Sequence, residues 1–525
     1  MILIKDAEIL IAYIIKYYCI VKGRELIKNM NIGYLLLIFF SHIYTTIEVQ
    51  YKHDQKIASE AKILNEQKID NDKNIFNNNQ SSNQNSFQSH NQEKTPIHVT
   101  IFVHGIMSIK PYLDLSNLIR FIKDKIINTL YAKGVELTRR TQYFWWGQAM
   151  QGFGLQAIDL TSIEKTKAAS AIALLYDKIF VETFGNEYER YYYTFGWSGL
   201  LSHKQRYYDA HEFFVHLEQL VRILEEQNKK PIITIIGYSH GGNVALDLAA
   251  VQENFYPHST LSIDTLILLG TPLLTETDHL VCSPLFKKVY NVVSPLDRIQ
   301  TMDFFSYSRF FSSKLFKNRR HFKIPAKLTQ VVLKLMKPIR TKRGPQVKER
   351  RKLLRKDFTN PAIISGRSRL LTHVSAGHIE LWFFGWTPQH YTKDFIFNPL
   401  PMVVFLPYIL GSIEKEIFLN RSVPVIADIR PHDDVMILKQ YTKHKRSHNI
   451  VSFLKKPLIK EMENVAYSVK PDNYTEYDFK RYLYEAYHNA KIMYDESLVF
   501  IRKSQRIQKK KARMRMKMAT YGLAT

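Results

Sequence analysis

The segment that most narrows what this chain can fold into is Ile232-Ile233-Thr234-Ile235-Ile236-Gly237-Tyr238-Ser239-His240-Gly241-Gly242-Asn243-Val244-Ala245-Leu246. The β-branched apolar run reads as a buried strand, and Val244-Ala245-Leu246-Asp247-Leu248-Ala249-Ala250 continues as a helix. Between them, Gly-x-Ser-x-Gly turns the chain sharply about one serine. Gly237 and Gly241 remove the Cβ atoms that would collide in such a turn, and the Ser239 hydroxyl is presented at the carboxyl edge of the sheet. Ser239 is therefore the first candidate nucleophile, and an ordinary glycine-rich turn is the alternative. A second string, Gly196-Trp197-Ser198-Gly199-Leu200, lacks the second glycine at the right offset and follows the run Tyr191-Tyr192-Tyr193-Thr194-Phe195. Ser198 is expected to end a strand and to pack.

Strand patterns recur around this segment. His98 to Val103 precedes it, and Thr265 to Leu269 and Val289 to Ser294 follow it. Helical patterns lie between them, at Leu115 to Tyr131, Ala168 to Phe184 and Tyr207 to Gln227. Such alternation predicts an α/β class with a mostly parallel central sheet flanked by helices. The long chain between His104 and Ser239 implies inserted elements, expected to form a cap.

The organisation expected along the 525 residues is an N-terminal apolar signal or anchor region (1–52), a disordered Asn/Gln-rich linker (53–95), the α/β domain (96–435) and a basic helical extension (436–525) that ends in a disordered tail. The apolar runs Ile9 to Val21 and Ile32 to Thr45 fall short of the roughly eighteen uninterrupted apolar residues of a membrane span. Lys22, Arg24 and Lys28 precede the second run as they would an export signal, so the expected location is secreted or membrane-associated, with the cytoplasm as the alternative. The net charge of +26 suits an anionic membrane surface, nucleic acid or acidic partners. Residues 314–356 carry seventeen Lys and Arg against one acid, which reads as a basic insertion. Cys19 and Cys282 lie in different regions, so neither a mutual disulfide nor a metal site is expected.

A serine hydroxyl needs a base, a group that orients the base, and donors for an oxyanion. Asp297, just after the Val289 to Ser294 strand, occupies the slot for the orienting acid, with a turn or N-cap role as its alternative. Asp264 and Asp247 are expected to point away. Three histidines qualify as base: His373, His378 and His390. The Gly377-His378 start of a helical run places an imidazole at a loop tip, which favours His378. The oxyanion donors expected are the backbone N–H of His240 and that of Ile106 or Met107, with Gly105 admitting close approach. His104 is expected to orient that loop.

These motifs resemble those of lipases and esterases of the α/β-hydrolase superfamily. The resemblance is carried by Phe102-Val103-His104-Gly105, Gly237 to Asn243, Leu268-Leu269-Gly270-Thr271-Pro272 and Ser294-Pro295-Leu296-Asp297, with His378 beyond. It implies an α/β-hydrolase fold with inserted cap elements and hydrolysis of carboxylic esters through an acyl-enzyme, without metal or cofactor. The expected substrate is an ester or lipid. Phe144, Trp145, Trp146, Tyr191, Tyr192, Tyr193, Trp382, Phe383, Phe384 and Trp386 would suit acyl chains if they lined a cap, and core packing if they did not. Two other functions stay open at this point: acyl transfer through the same serine, and a noncatalytic module that binds membrane or nucleic acid. No nucleic-acid motif supports the last. Oligomeric state is not legible.

Overall fold

A computed structural model of the chain describes residues 94–106, 124, 126, 127, 129–161, 164, 165, 167–297, 299–301, 312–338, 371–388, 395–416, 423–441 and 446–522. The expected N-terminal anchor, nearly all of the Asn/Gln-rich linker and most of the Leu115 to Tyr131 helix lie outside these residues. Along the chain run β1 (Thr95–Val103), α1 (Leu130–Arg139), α2 (Gln142–Trp145), β2 (Gly154–Ala157), α3 (Ala168–Phe184), β3 (Glu189–Gly196), α4 (His203–Glu226), β4 (Lys229–Tyr238), α5 (His240–Phe255), β5 (Ile263–Leu269) and β6 (Phe286–Val293). There follow β7 (Leu328–Pro338), β8 (Leu371–His373), α6 (Leu406–Lys415), β9 (Val425–Arg430), β10 (Val435–Tyr441), β11 (Arg446–Ser452), α7 (Lys456–Ser468) and α8 (Glu476–Gly522).

The sheet order is β11-β10-β9-β7-β6-β5-β4-β1-β3-β2, with β8 paired to β7 off this path. From β3 to β9 all neighbours are parallel, and antiparallel strands close both edges, β2 on one side and β10 and β11 on the other. The class is therefore α/β with a mixed, mostly parallel sheet.

Period-two alternation divides the core between the two faces. Phe102, Ile236, Ile267 and Val292 point to one side, into a cluster completed by α3, α6 and α7 residues such as Ile172, Ile409 and Met462. Ile101, Ile235, Leu268 and Val289 point to the other, against Phe213 and Leu217 of α4 and Val244 and Leu248 of α5. A buried parallel sheet with helices on both faces satisfies its strands without exposing an apolar surface. Capping is local: the Thr129 hydroxyl accepts from Ala132 N–H at 3.2 Å and the Ser202 hydroxyl from Gln205 N–H at 3.0 Å, fixing the starts of α1 and α4.

Three expectations about organisation need correction. The boundary at 435/436 falls at the start of β10, and contacts tie Lys94 through Thr525 into one unit. Here Met436 and Leu438 are buried, so two strands of the presumed extension belong to the sheet. The disordered tail expected at the C-terminus is helical through Gly522.

The basic stretch 314–356 is likewise no simple insertion. Its residues 328–338 form β7, between β6 and β9. Val331, Leu333 and Leu335 are buried while Lys334 is half-buried, the alternation of a strand with charged residues on the less buried face. Several of its cations are spent internally: Lys327 Nζ donates to the carbonyls of Cys282, Ser283 and Phe286, and Arg319 pairs with Asp278. Residues 339–356 lie outside the described residues.

Candidate active site

The strand β4 lies in the middle of the sheet, between β1 and β5, and ends at Tyr238. The next residue, Ser239, has φ 52° and ψ −131°, a conformation that L side chains rarely adopt. Its N–H donates to Leu269 O at 2.9 Å, which ties the turn to the end of β5. Then α5 begins at His240, with the positive end of its dipole beside the serine.

Steric demand explains the glycines of the turn. A Cβ on Gly237 would lie 2.5 Å from Gly242 Cα, and one on Gly241 would lie 2.3 Å from His104 O and 2.6 Å from Val103 O. These obstacles are backbone and cannot rotate aside. Gly241→Ala is expected to destabilise the fold by about 2 kcal/mol or more, as overpacking against a fixed wall does, and urea unfolding of the variant checks it.

The turn meets two other loops at the carboxyl edge. His378, at the head of the short turn Ile379–Leu381, reaches Ser239 Oγ through Nε2 at 3.0 Å. Its Nδ1–H donates to Asp297 Oδ2 at 2.8 Å, on the loop after β6. This leaves Nε2 as the acceptor of the serine proton, the tautomer being assigned from the hydrogen-bond pattern. All three side chains are buried, Asp297 at 0% exposure and Ser239 at 2%. The three residues chosen from the sequence are thus brought together in one hydrogen-bonded chain.

The other candidate bases do not enter this chain among the described residues. The backbone of His373 belongs to β8, paired with Met336, its side chain lies outside the described residues, and so does His390. Asp264 sits at the amino end of β5, where Oδ2 accepts from Ile233 N–H at 2.8 Å. Asp247 is buried within α5, and burial pushes its carboxyl up to about 7. Ser198 lies two residues beyond the end of β3 and donates to Asp209 Oδ2 at 2.6 Å.

The loop after β1 presses on the serine from the other side. A Cβ on Gly105 would stand 2.9 Å from Ser239 Cβ, so only glycine lets this backbone come so near. Ile106 follows, half-buried against the core of that sheet face, and Met107 lies outside the described residues. His104 fixes the loop. Its Nδ1–H donates to Gly105 O at 2.6 Å, its Nε2 accepts from Trp197 N–H at 3.3 Å, and Trp197 Nε1–H donates to His104 O at 2.6 Å. Burial, then the Arg139 guanidinium, holds its pKa well below the usual imidazole range, so it stays neutral. The His240 imidazole is held low as well, by burial first and then by Arg206 and His378.

Sequence reasoning missed the groups that hold the chain in place. Tyr238 Oη donates to His378 O at 2.9 Å, and its ring stacks on Trp382 with centroids 5.0 Å apart and planes 3° from parallel. Gln300 clamps the acid loop: its N–H donates to Asp297 Oδ1 at 3.1 Å and its Nε2–H to Thr271 O at 2.7 Å. The offset Asp297-x-x-Gln300 was a readable signal, since an Asp that accepts from the N–H three residues on is the N-cap pattern offered as its alternative role. Arg139 gave no signal. Buried beside His104, its Nη1 lies 3.4 Å from Nε2 and its guanidinium stands over the Phe153 ring at 3.7 Å, while burial lowers its pKa to about 9.

The aromatics proposed as a cap lining are placed otherwise. Trp382 and Phe384 are fully buried in a main core cluster, and Phe144, Trp145, Trp146 and Trp386 pack in the satellite cluster with Tyr474 and Phe479. Part of the chain between His104 and Ser239 extends the sheet through β2 and β3 and covers it through α3 and α4, so it is not simply a cap. Among the described residues no group of three or more His, Cys, Asp or Glu side chains could hold a metal ion. No family model and no curated protein matches this sequence.

Proposed function

We propose that the chain is a serine hydrolase that cleaves carboxylic esters through an acyl-enzyme, on an α/β-hydrolase scaffold. One observation carries the reading: the continuous relay from Ser239 Oγ through the His378 ring to Asp297, at 3.0 and 2.8 Å, assembled from three loops at the carboxyl edge of a parallel sheet. An idle serine would have little reason to sit at φ 52° between two sterically obligatory glycines.

The chemistry follows from the atoms. As Ser239 Oγ attacks the ester carbonyl, His378 Nε2 takes its proton, and Asp297 stabilises the imidazolium through Nδ1–H. The carbonyl oxygen gains negative charge, which the backbone N–H groups of His240 and Ile106 are positioned by sequence to receive, with Met107 as the alternative to Ile106. His378 then protonates the departing alcohol. Water, deprotonated by the same ring, attacks the acyl-enzyme and restores Ser239. Lipid esters are the proposed substrate class, supported by the cationic, apolar-striped helix described below.

Incubation with a fluorophosphonate probe tests the reading directly, because a serine activated by imidazole attacks phosphorus as it attacks carbon. The expected result is one adduct, at Ser239, absent in Ser239→Ala. Labelling that survives this substitution would sink the assignment. Turnover of p-nitrophenyl esters of graded chain length then ranks short against long acyl groups.

A further inference from the structure

The helix α8 changes character along its length. Its first half is anchored: Phe479, Ala486 and Ala490 are buried, Phe479 packs with Phe144 and Tyr474, and Lys480 and Arg481 pair with Glu476 and Asp478. Beyond Ala490 no described side chain of the helix is buried. Charge changes at nearly the same place. Residues 497–525 contain nine Lys and Arg and no acid, so these cations have no carboxylate within one turn along the helix, in contrast to Arg319 of the other basic segment, which pairs with Asp278.

A line of apolar side chains runs through this basic half. Met493, Phe500, Ile507 and Met514 are 40%, 71%, 48% and 52% exposed and lie seven residues apart, so they share one face with a drift of only about 20° per step. A partner helix would need a second apolar position in each heptad. The residues three and four further on are Glu496 and Ser497, Lys503 and Ser504, Lys510 and Lys511, and Lys517 and Met518, so a second apolar position occurs in the last heptad alone. A second copy of the chain would also bring nine like charges against nine. A phosphate backbone would meet the cations but would leave the Phe500 and Ile507 side chains in water. A narrow apolar stripe flanked by cations fits a surface that is anionic outside and hydrocarbon beneath.

We propose that the basic half of α8, from Met493 onward, lies on bilayers containing anionic lipid, with Met493, Phe500, Ile507 and Met514 entering the acyl boundary and the flanking cations among the headgroups. No helix among the described residues is long and apolar enough to cross a membrane, and this contact is one of lying on the surface. It does not depend on the ester-hydrolase reading.

Co-sedimentation of the full chain with vesicles of phosphatidylcholine, alone or with phosphatidylserine, tests the proposal. The expected result is preference for the phosphatidylserine vesicles that weakens as salt rises, since exposed charges are screened beyond about 8 Å at physiological ionic strength. Two exposed-site variants, Phe500→Glu with Ile507→Glu, and Lys509→Glu with Lys510→Glu and Lys511→Glu, should each reduce that binding by roughly tenfold or more. Far-ultraviolet circular dichroism and thermal unfolding should match the parent chain. In Phe500→Trp, the added emission should shift to the blue on vesicles and be quenched by brominated acyl chains. Absence of that shift, binding without anionic preference, or binding unaffected by both variants overturns the proposal, as does retention on RNA without retention on vesicles. Loss of vesicle binding with Ser239 still labelled would count against the docking helix alone, and loss of labelling with vesicle binding intact against the hydrolase reading alone.

Discussion

Ser239→Ala and His378→Ala are each expected to lower kcat on an activated ester by about 10⁵- to 10⁶-fold, and the double variant to be no worse than either single one. The reason lies in the contacts. Once His378 Nε2 is gone from its 3.0 Å approach, the serine hydroxyl keeps its proton and a nucleophile near neutral pH no longer exists. Once the hydroxyl is gone, the base has nothing to activate. Each removal therefore disables the same step, and free energies of the two do not add. Turnover of p-nitrophenyl butyrate by the three variants decides it. Additive losses, or wild-type turnover in His378→Ala with collapse in His390→Ala, would show that the relay is not the working unit.

Why this part of the molecule was legible is a matter of local sterics. The turn at Ser239 imposes its own sequence, because Gly237 and Gly241 face backbone that no rotamer change can clear. Strands β4, β5 and β6 carry runs of Val, Ile and Leu that few other environments accept. Asp297 follows the carboxyl end of β6, and His378 follows β8, whose chain runs on beside Leu335 of β7, so both lie on loops of the kind an open α/β sheet gathers at its site. The contact of His378 with Ser239, 139 residues apart, needed the fold to bring it about, yet each residue sat at a readable loop position.

The sheet's far side was hidden for an equally physical reason. Composition averages over a strand, whereas burial alternates along it. In β7, Val332 and Lys334 occupy the less buried positions between Val331, Leu333 and Leu335, so a stretch that is basic overall still builds a central strand. The same holds for Lys439 beside Leu438 in β10, where the ammonium pairs with the buried Asp428 carboxylate, itself also held by Arg430. Arg139 was unreadable because nothing local marks a helix-end arginine as buried. Its place beside His104 depends on α1 being folded back against the loop after β1.

The second large effect concerns Asp297. It lies wholly out of solvent, accepting from His378 Nδ1–H at 2.8 Å through Oδ2 and from Gln300 N–H at 3.1 Å through Oδ1. In Asp297→Asn the clamp can survive, because the amide oxygen still accepts from Gln300. The amide NH₂ then faces His378 and donates where the carboxylate accepted, so the ring must carry its proton on Nε2. A ring protonated there cannot take the serine's proton. The expected loss is about 10⁴-fold in kcat with the fold and the KM little changed, since the wrong tautomer blocks the reaction and not the binding. Asp297→Ala is predicted to lose activity comparably and also to lose stability, because it removes the acceptor for two buried donors, at about 1–3 kcal/mol for each one left unsatisfied. Steady-state kinetics with urea unfolding of both variants separates the cases. Near-normal turnover in Asp297→Asn would mean that Asp297 is only the turn residue its bond to Gln300 makes it.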